Sequence, residues 1–338
     1  MRDFLDFEKP LKELEERIEK CRKSGSEKKG MPRLIRMLQN QLAKKEMEIF
    51  GNLNPWQQAQ IARHPQRPST LKYIEAFFKD FVELHGDRNF GDDQALVGGF
   101  ATLEDRSVCL IGNEKGQGVK GRIKRNFGMP NPEGYRKALR LMQLAEKFGK
   151  PIVTFIDTPG AYPGVGAEER GQAEAIARNL FVMSRLQVPI VSVITGEGGS
   201  GGALALGVAD RVLILENSIY SVISPEGCAA ILWNDPSKTS EAAAALKMNG
   251  AELLKLGIVD EVIPEPMGGA HRDIDGMAKS LAKSLKIHLK QLEGQKKDKL
   301  VATREEKYRR MSALVLSLIH ISEPTRPLYI SYAVFCLK

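Results

Sequence analysis

The stretch Thr195-Gly-Glu-Gly-Gly-Ser-Gly-Gly-Ala203 decides how this chain is read. An apolar run, Val188-Pro-Ile-Val-Ser-Val-Ile-Thr195, leads in, and Ala203-Leu-Ala-Leu-Gly-Val208 leads out. The pattern predicts a strand, a glycine turn and a helix N-terminus. Five glycines in seven residues strip side chains from the backbone where free N–H groups begin a helix, so it can approach negative oxygen closely. Aimed at a carbonyl, such donors form an oxyanion hole, in which one donor supplies roughly 3–4 kcal/mol of transition-state stabilisation. A second unit of the same kind precedes it. Pro151-Ile-Val-Thr-Phe-Ile-Asp157 reads as a buried strand, 158–170 as a loop rich in Gly and Pro, and Gly171–Leu186 as a helix. Two adjacent units with bare loops suggest one site built from both.

Outward from these units, residues 4–50 predict a helical hairpin that serves packing or oligomerisation. Leu11, Leu14, Ile18 and Cys21 form one stripe and Leu34, Ile35, Leu38, Leu42 and Ile49 a second, with a break at Ser24–Gly30. Residues 51–70 carry three prolines and read as a connector. Leu71–Leu84 predicts one amphipathic helix, and Ala95–Thr102 with Ser107–Gly112 a hairpin around Glu104-Asp105. Asn113–Pro132 reads as a long polar loop and Tyr135–Phe148 as a helix. Beyond the glycine units, strands are expected at Arg211–Glu216 and Tyr220–Ile223, and helices at Pro225–Trp233 and Ser240–Met248. A last strand region is expected at Leu256–Ile263 and one charged helix at 277–311. The segment from about Leu314 is apolar, aperiodic and resembles translated sequencing-adapter sequence, so residues 313–338 are expected to lie outside the fold.

The chain of 338 residues, 42% hydrophobic, can bury a large core. No apolar run reaches about 18 residues, so no membrane span is expected. The N-terminus is too charged for a signal peptide, and four scattered cysteines lack zinc spacing; a reducing cytoplasm and no metal site are the expectation. The net charge of +8 fits either a lysine-rich solvated surface or a polyanionic partner. The candidates are nucleotide-like phosphates, an acidic protein or nucleic acid, although the aromatic interleaving of RNA-stacking surfaces is missing.

Several motifs compete with the oxyanion reading. Gly116-Gln-Gly-Val-Lys-Gly121 matches GxGxxG, but Gly128 and Pro130 interrupt the helix that a dinucleotide fold needs. Asp157-Thr-Pro-Gly160 matches DxxG without any upstream GxxxxGK[ST]. Gly198-Gly-Ser-Gly-Gly202 matches the GxSxG nucleophile elbow, with Asp260 or Asp235 and then His271 downstream. A serine hydrolase using Ser200 is therefore one alternative, with Ser200 as a plain helix-entry residue against it. Lys115, Lys120, Arg122, Lys124 and Arg125 form either a solvated loop or a phosphate contact.

Long strings resemble the alpha subunit of bacterial acetyl-CoA carboxylase carboxyltransferase. They are Asn126-Phe-Gly-Met-Pro, Pro132-Glu-Gly-Tyr-Arg-Lys-Ala-Leu-Arg-Leu-Met142, 157–171, 196–203, Tyr220-Ser-Val-Ile-Ser-Pro-Glu-Gly227 and Ile263-Pro-Glu-Pro-Met-Gly-Gly-Ala-His-Arg272. The resemblance covers about 4–312. It implies an α/β, crotonase-like fold of repeated ββα units over 71–275. A helical arm (1–50) and connector (51–70) would precede it, and a helical segment (276–312) would follow. It implies transfer of a carboxyl group from carboxybiotin, borne on a carrier protein and not attached covalently here, to acetyl-CoA, giving malonyl-CoA for fatty-acid synthesis. A beta subunit with a zinc ribbon, the biotin carboxyl carrier protein and a biotin carboxylase that uses ATP are the implied partners, in an alpha2-beta2 assembly. The coenzyme A ester is substrate. By the same resemblance, Gly166 and Ala167 in one loop and Gly201 and Gly202 in the other carry the donors. Gly164, Val165, Gly198, Gly199 and Arg170 would hold substrate, and the liberated biotin anion would act as base. The chain departs from the family at Asn113, where His is usual, and at Gly116–Val119. A non-catalytic acyl-CoA- or RNA-binding module of the same fold is the remaining alternative.

Overall fold

The computed structural model describes residues 3–24 and 30–321. Lys9–Lys23 (α1) and Met31–Phe50 (α2) form the hairpin, with Leu11, Ile18 and Leu38 buried along the expected stripes. The arm is fastened to the body by Arg272, which bonds Glu8 at 2.7 Å and lies over the rings of Phe4 and Phe50.

The stretch 51–70 is more than a connector. Pro55–Ala62 (α3) begins at Asn54, whose side chain accepts from the Gln57 N–H while the Gln57 side chain accepts from the Asn54 N–H. This reciprocal cap, followed by a proline already set at helical φ, nucleates a helix in a proline-rich run. The helix expected over 71–84 stops early. Thr70–Phe77 (α4) ends at the extended Phe78, and Lys79–Glu83 (β1) turns into an edge strand. Phe78, Phe81 and Val82 satisfy a strand as well as a helix, and antiparallel pairing with the next strand decides it.

Leu96–Leu103 (β2) and Arg106–Asn113 (β3) make the expected hairpin, closed at Leu103↔Arg106 with Glu104 at positive φ. The polar loop after it contains a short helix, Gly118–Lys124 (α5). Pro132–Lys147 (α6) leads to Ile152–Thr158 (β4), Val165–Glu169 (α7) and Gln172–Met183 (α8). Ile190–Gly199 (β5) passes directly into Ser200–Leu204 (α9). Arg211–Leu215 (β6), Ile219–Ser221 (β7), Pro225–Trp233 (α10) and Thr239–Ala245 (α11) follow, then Gly250–Lys255 (α12), and of the strand region expected over 256–263 only Glu261–Ile263 (β8) is strand. The single helix expected over 277–311 is two, Ile274–Glu293 (α13) and Lys297–Ile321 (α14), parted at the helix-ending Gly294. Residues 322–338, where most of the adapter-like segment falls, lie outside the described residues.

One sheet runs β1-β2-β3-β4-β5-β6-β8, with β7 on the far end of β5. Strands β3, β4, β5, β6 and β8 are mutually parallel. Both faces of the parallel part are covered, which explains its continuous apolar runs. Ile111, Ile156 and Ile194 meet Leu141 and Met142 of α6, while Phe155, Val191 and Val193 meet Tyr73 of α4 and Leu281 of α13. Among the described residues, no helix is long and apolar enough to cross a membrane.

Helix α14 is held by a buried cation. Arg304, 1% exposed, pairs with both carboxylate oxygens of Asp210 and donates to the carbonyls of Met183, Leu186 and Val188. Arg304→Ala leaves Asp210 charged and dry, and should lower unfolding free energy by about 3–5 kcal/mol. The double variant Arg304→Met/Asp210→Leu should recover most of that loss. Urea unfolding of the three proteins checks both statements.

Candidate active site

The site begins with an irregularity in the sheet. Ile156 pairs with Ile194 and Thr158 with Gly198, so one residue of β4 stands against three of β5. The surplus Thr195-Gly-Glu197 needs other partners. The Asp157 carboxylate accepts the Glu197 N–H at 2.9 Å, and Arg67 Nε donates to the Thr195 carbonyl at 2.6 Å. Arg67 is itself buried, bonded to Ser218 Oγ and paired with both oxygens of Glu265. Burial opposes its charge, but Glu265 outweighs burial and holds its pKa above the usual arginine value.

Most of the predicted glycine turn is strand. Gly198 is locked between Thr158 of β4 and Tyr220 of β7, and a Cβ on it would come within 2.9 Å of the Tyr220 ring. A Cβ on Gly199 would overlap the Pro159 carbonyl, and one on Gly202 would lie 2.7 Å from the Ala161 nitrogen and closer still to the Gly160 carbonyl carbon. These glycines let the two loops touch, backbone to backbone. The actual turn is made by Ser200, a non-glycine at φ +50°. Gly201 differs from its neighbours: its Cβ direction is open, with Ile176 3.6 Å away. As early residues of α9, Gly201 and Gly202 have N–H groups without intrahelical acceptors.

In the companion loop Gly164 is the N-cap of α7. Its carbonyl already accepts from the Ala167 N–H at 2.9 Å and the Glu168 N–H at 3.2 Å, so the Ala167 amide is engaged while those of Val165 and Gly166 precede any intrahelical bond. Val165 projects outward, 76% exposed. Arg170 reaches back to Glu133 at 3.0 Å and lies over the Phe90 ring, which braces the loop. Gln172 pins its other end through the Tyr162 and Pro130 carbonyls.

A cavity of about 680 Å³ opens on one side of the strand end, lined by Arg63, His64, Lys115, Asp157, Pro159 and Glu197. Ser200, Leu204, Tyr220 and Val222 line part of a separate apolar groove of about 530 Å³ that extends to Tyr308 of α14. Such crevices at the carboxyl ends of parallel strands are where α/β sheets bind ligands. Arg63 of the connector bridges Glu197 at 2.7 Å and Glu226 at 2.6 Å, and these carboxylates outweigh burial and raise its pKa.

The competing motifs come apart in three dimensions. His271 stacks on His64 with centroids 3.9 Å apart; Asp260 binds Lys307 and the Val212 N–H; Asp235 caps the turn at Ser237. All three candidate partners of Ser200 are thus committed elsewhere. The basic loop is divided: Lys115 turns inward to Asp157, Arg122 and Arg125 donate to the Pro65 and Gln94 carbonyls, and Lys120 and Lys124 remain exposed. Sequence reasoning missed Arg63, Arg67, Asp157 and Glu197 as parts of the site. The polar residues ending buried strands, Asp157 and Glu197, were the available signal.

Substituting glycines separates crowding from chemistry. Gly202→Ala should cost several kcal/mol, about 3, because backbone must move. Gly201→Ala should stay within about 1 kcal/mol of the parent. Thermal melts of the two variants decide it, and equal melting temperatures would contradict the described packing.

A family model described as acetyl co-enzyme A carboxylase carboxyltransferase-like matches residues 4–312. The acetyl-coenzyme A carboxylase carboxyl transferase subunit alpha of Geobacter metallireducens is 57% identical over 91% of this chain and 97% of its own length. The subunit of the same name from Geobacillus kaustophilus is 55% identical over 91% and 95%. Among solved structures, a chain of a Pseudomonas malonate decarboxylase hetero-tetramer in complex with coenzyme A aligns with TM-score 0.57 and 18% identity, over 75% of this chain and 99% of that one. Transcarboxylase 12S aligns with TM-score 0.53 and 22% identity, over 66% of this chain and 42% of its own. These likenesses establish the crotonase-like fold, and the sequence relatives go further: the chain belongs to the alpha-subunit family of acetyl-CoA carboxylase carboxyltransferases.

Proposed function

We propose that the chain is the alpha half of a carboxyltransferase that moves a carboxyl group from carboxybiotin on a carrier protein to acetyl-CoA. The observation that carries this reading, within the family, is the backbone contact between the 158–161 loop and the Gly199–Gly202 turn, at the ends of adjacent parallel strands. It brings two bare loops together without an intervening side chain.

Negative charge develops on oxygen as the carboxyl group leaves one substrate and the α-proton leaves the other. Preorganised N–H donors favour that charge most where it is greatest, in the transition state. Gly166 of one loop and Gly201 and Gly202 of the other supply donors. Gly164 and Val165 shape the first loop, Gly198 and Gly199 seat the second against it, and Arg170 braces the rim. When presented by its carrier, carboxybiotin would supply the activated carboxyl group and, once decarboxylated, a base for the α-proton. The beta subunit completes the thioester side of the site, and biotin carboxylase consumes ATP to recharge the carrier. Bringing both reactants together requires two walls, of which this chain is one.

The complex with a beta subunit, supplied with acetyl-CoA and carboxylated biotin carrier as the carboxyl donor, should form malonyl-CoA and leave free biotin on the carrier, which neither chain does alone. In that complex Gly201→Val, at a position where a Cβ meets no clash, should lower kcat by about 10²-fold through screening the adjacent donors. Ester hydrolysis by the lone chain, lost in Ser200→Ala, would select the hydrolase instead.

A further inference from the structure

One chain of ion pairs in the 680 Å³ cavity has no part in the scheme above. Lys115 Nζ lies 2.7 Å from Asp157 Oδ1 and 3.5 Å from Glu197 Oε2. The same Oδ1 accepts the Glu197 N–H at 2.9 Å, and Arg63 Nε closes on Glu197 Oε1 at 2.7 Å. The Asp157 and Glu197 side chains are only 7% and 10% exposed. Without the ammonium between them, Asp157 would be left without its ion pair beside a Glu197 carboxylate held by Arg63 alone, in a partly dry space. The Lys115 stem is wedged as well: a Cβ on Gly128 would come within 2.6 Å of its Cγ, and the neighbouring Glu114 carboxylate anchors the Leu71 and Gly116 amides. The cation is therefore held by its own segment and presented to the bulge of β5.

We infer that Lys115 is a positioning residue: through Asp157 it fixes the path of Thr195–Gly199 and so aims the Gly201 and Gly202 amides. With Lys115 gone, Asp157 would lose its ion pair and face a Glu197 carboxylate neutralised by Arg63 alone, which would loosen the surplus residues of β5, and the turn is their direct continuation. The inference rests on the carboxyltransferase reading of that turn. It asks nothing of Lys115 toward substrate.

The test uses the complex of this chain with a beta subunit, assayed for carboxyl transfer from malonyl-CoA to free biotin, together with amide hydrogen exchange over 196–202. In Lys115→Met, kcat should fall about tenfold or more, since small misplacements of reacting groups carry penalties of that size. KM for both substrates should stay within about twofold, because ground-state binding is untouched. Exchange over 196–202 should quicken with little change in melting temperature. Lys115→Arg should restore most of the rate, and Asp157→Asn, which keeps the acceptor for Glu197, should be milder than Asp157→Ala. A parental kcat in Lys115→Met overturns the inference. So does a raised KM with unchanged kcat, which would make Lys115 a substrate contact, or a rate loss matched by the unfolded fraction and not restored by arginine. If the parent complex transfers no carboxyl group, the functional reading fails on its own, and the exchange measurement still judges whether Lys115 holds the bulge.

Discussion

Three residues of β5 lie opposite one residue of β4, and the rest of the site is a response to that mismatch. A parallel ladder cannot satisfy the surplus N–H and C=O groups, and leaving them dry would cost about 1–3 kcal/mol each. Two side chains take the place of ladder partners, and a third supports one of them. Arg67, from the connector, serves the Thr195 carbonyl; Asp157, from the neighbouring strand, serves the Glu197 amide; Glu265, after the last strand, neutralises Arg67. A fully buried arginine is tolerable because each of these contacts is made at once. The same cation ties the connector to β5, to Ser218 before β7 and to Glu265, so the fold closes around the place where the strand is irregular.

The bulge also explains the glycines. It shifts the end of β5 toward the preceding strand's loop until backbone meets backbone at Pro159–Ala161. Side chains at Gly199 or Gly202 would hold the loops apart. In the sequence this crowding looks like flexibility, because glycine serves both. The left-handed turn falls on Ser200, while Gly198, Gly199 and Gly202 occupy positions with no room for a Cβ.

This accounts for what could be read in advance. The buried parallel strands follow continuous apolar runs, the β2–β3 hairpin and most of the amphipathic helices follow local periodicity, and these were legible. The early end of α4 was not, because Phe78, Phe81 and Val82 suit either state and only pairing with β2 decides. The division near Gly294 was masked by a charged pattern that continues on both sides of it. At the site, the two bare loops were visible as composition. The ion pairs that aim them were not, since Arg63 and Glu197 are 134 residues apart and Arg67 and Glu265 are 198 apart. Asp157 was in view as part of a DxxG string, but a motif search asks what a residue binds. Its structural use, accepting an amide orphaned by the bulge, shows in the sequence only as a polar residue at the end of a buried strand, which names no partner.

Charge is present around the turn in quantity, yet it is spent in pairs. Arg63 is shared by Glu197 and Glu226, Lys115 by Asp157 and Glu197, Arg67 by Glu265, Arg170 by Glu133. A free lysine or arginine at the same place would attract an anionic substrate and its transition state alike, which tightens binding without quickening the chemical step. Amide dipoles fixed by a rigid strand act over a shorter range and favour the arrangement in which charge has moved onto the oxygen they face. Keeping the cations paired leaves the backbone as the directional donor, and keeps that donor independent of any side chain that titrates near neutrality.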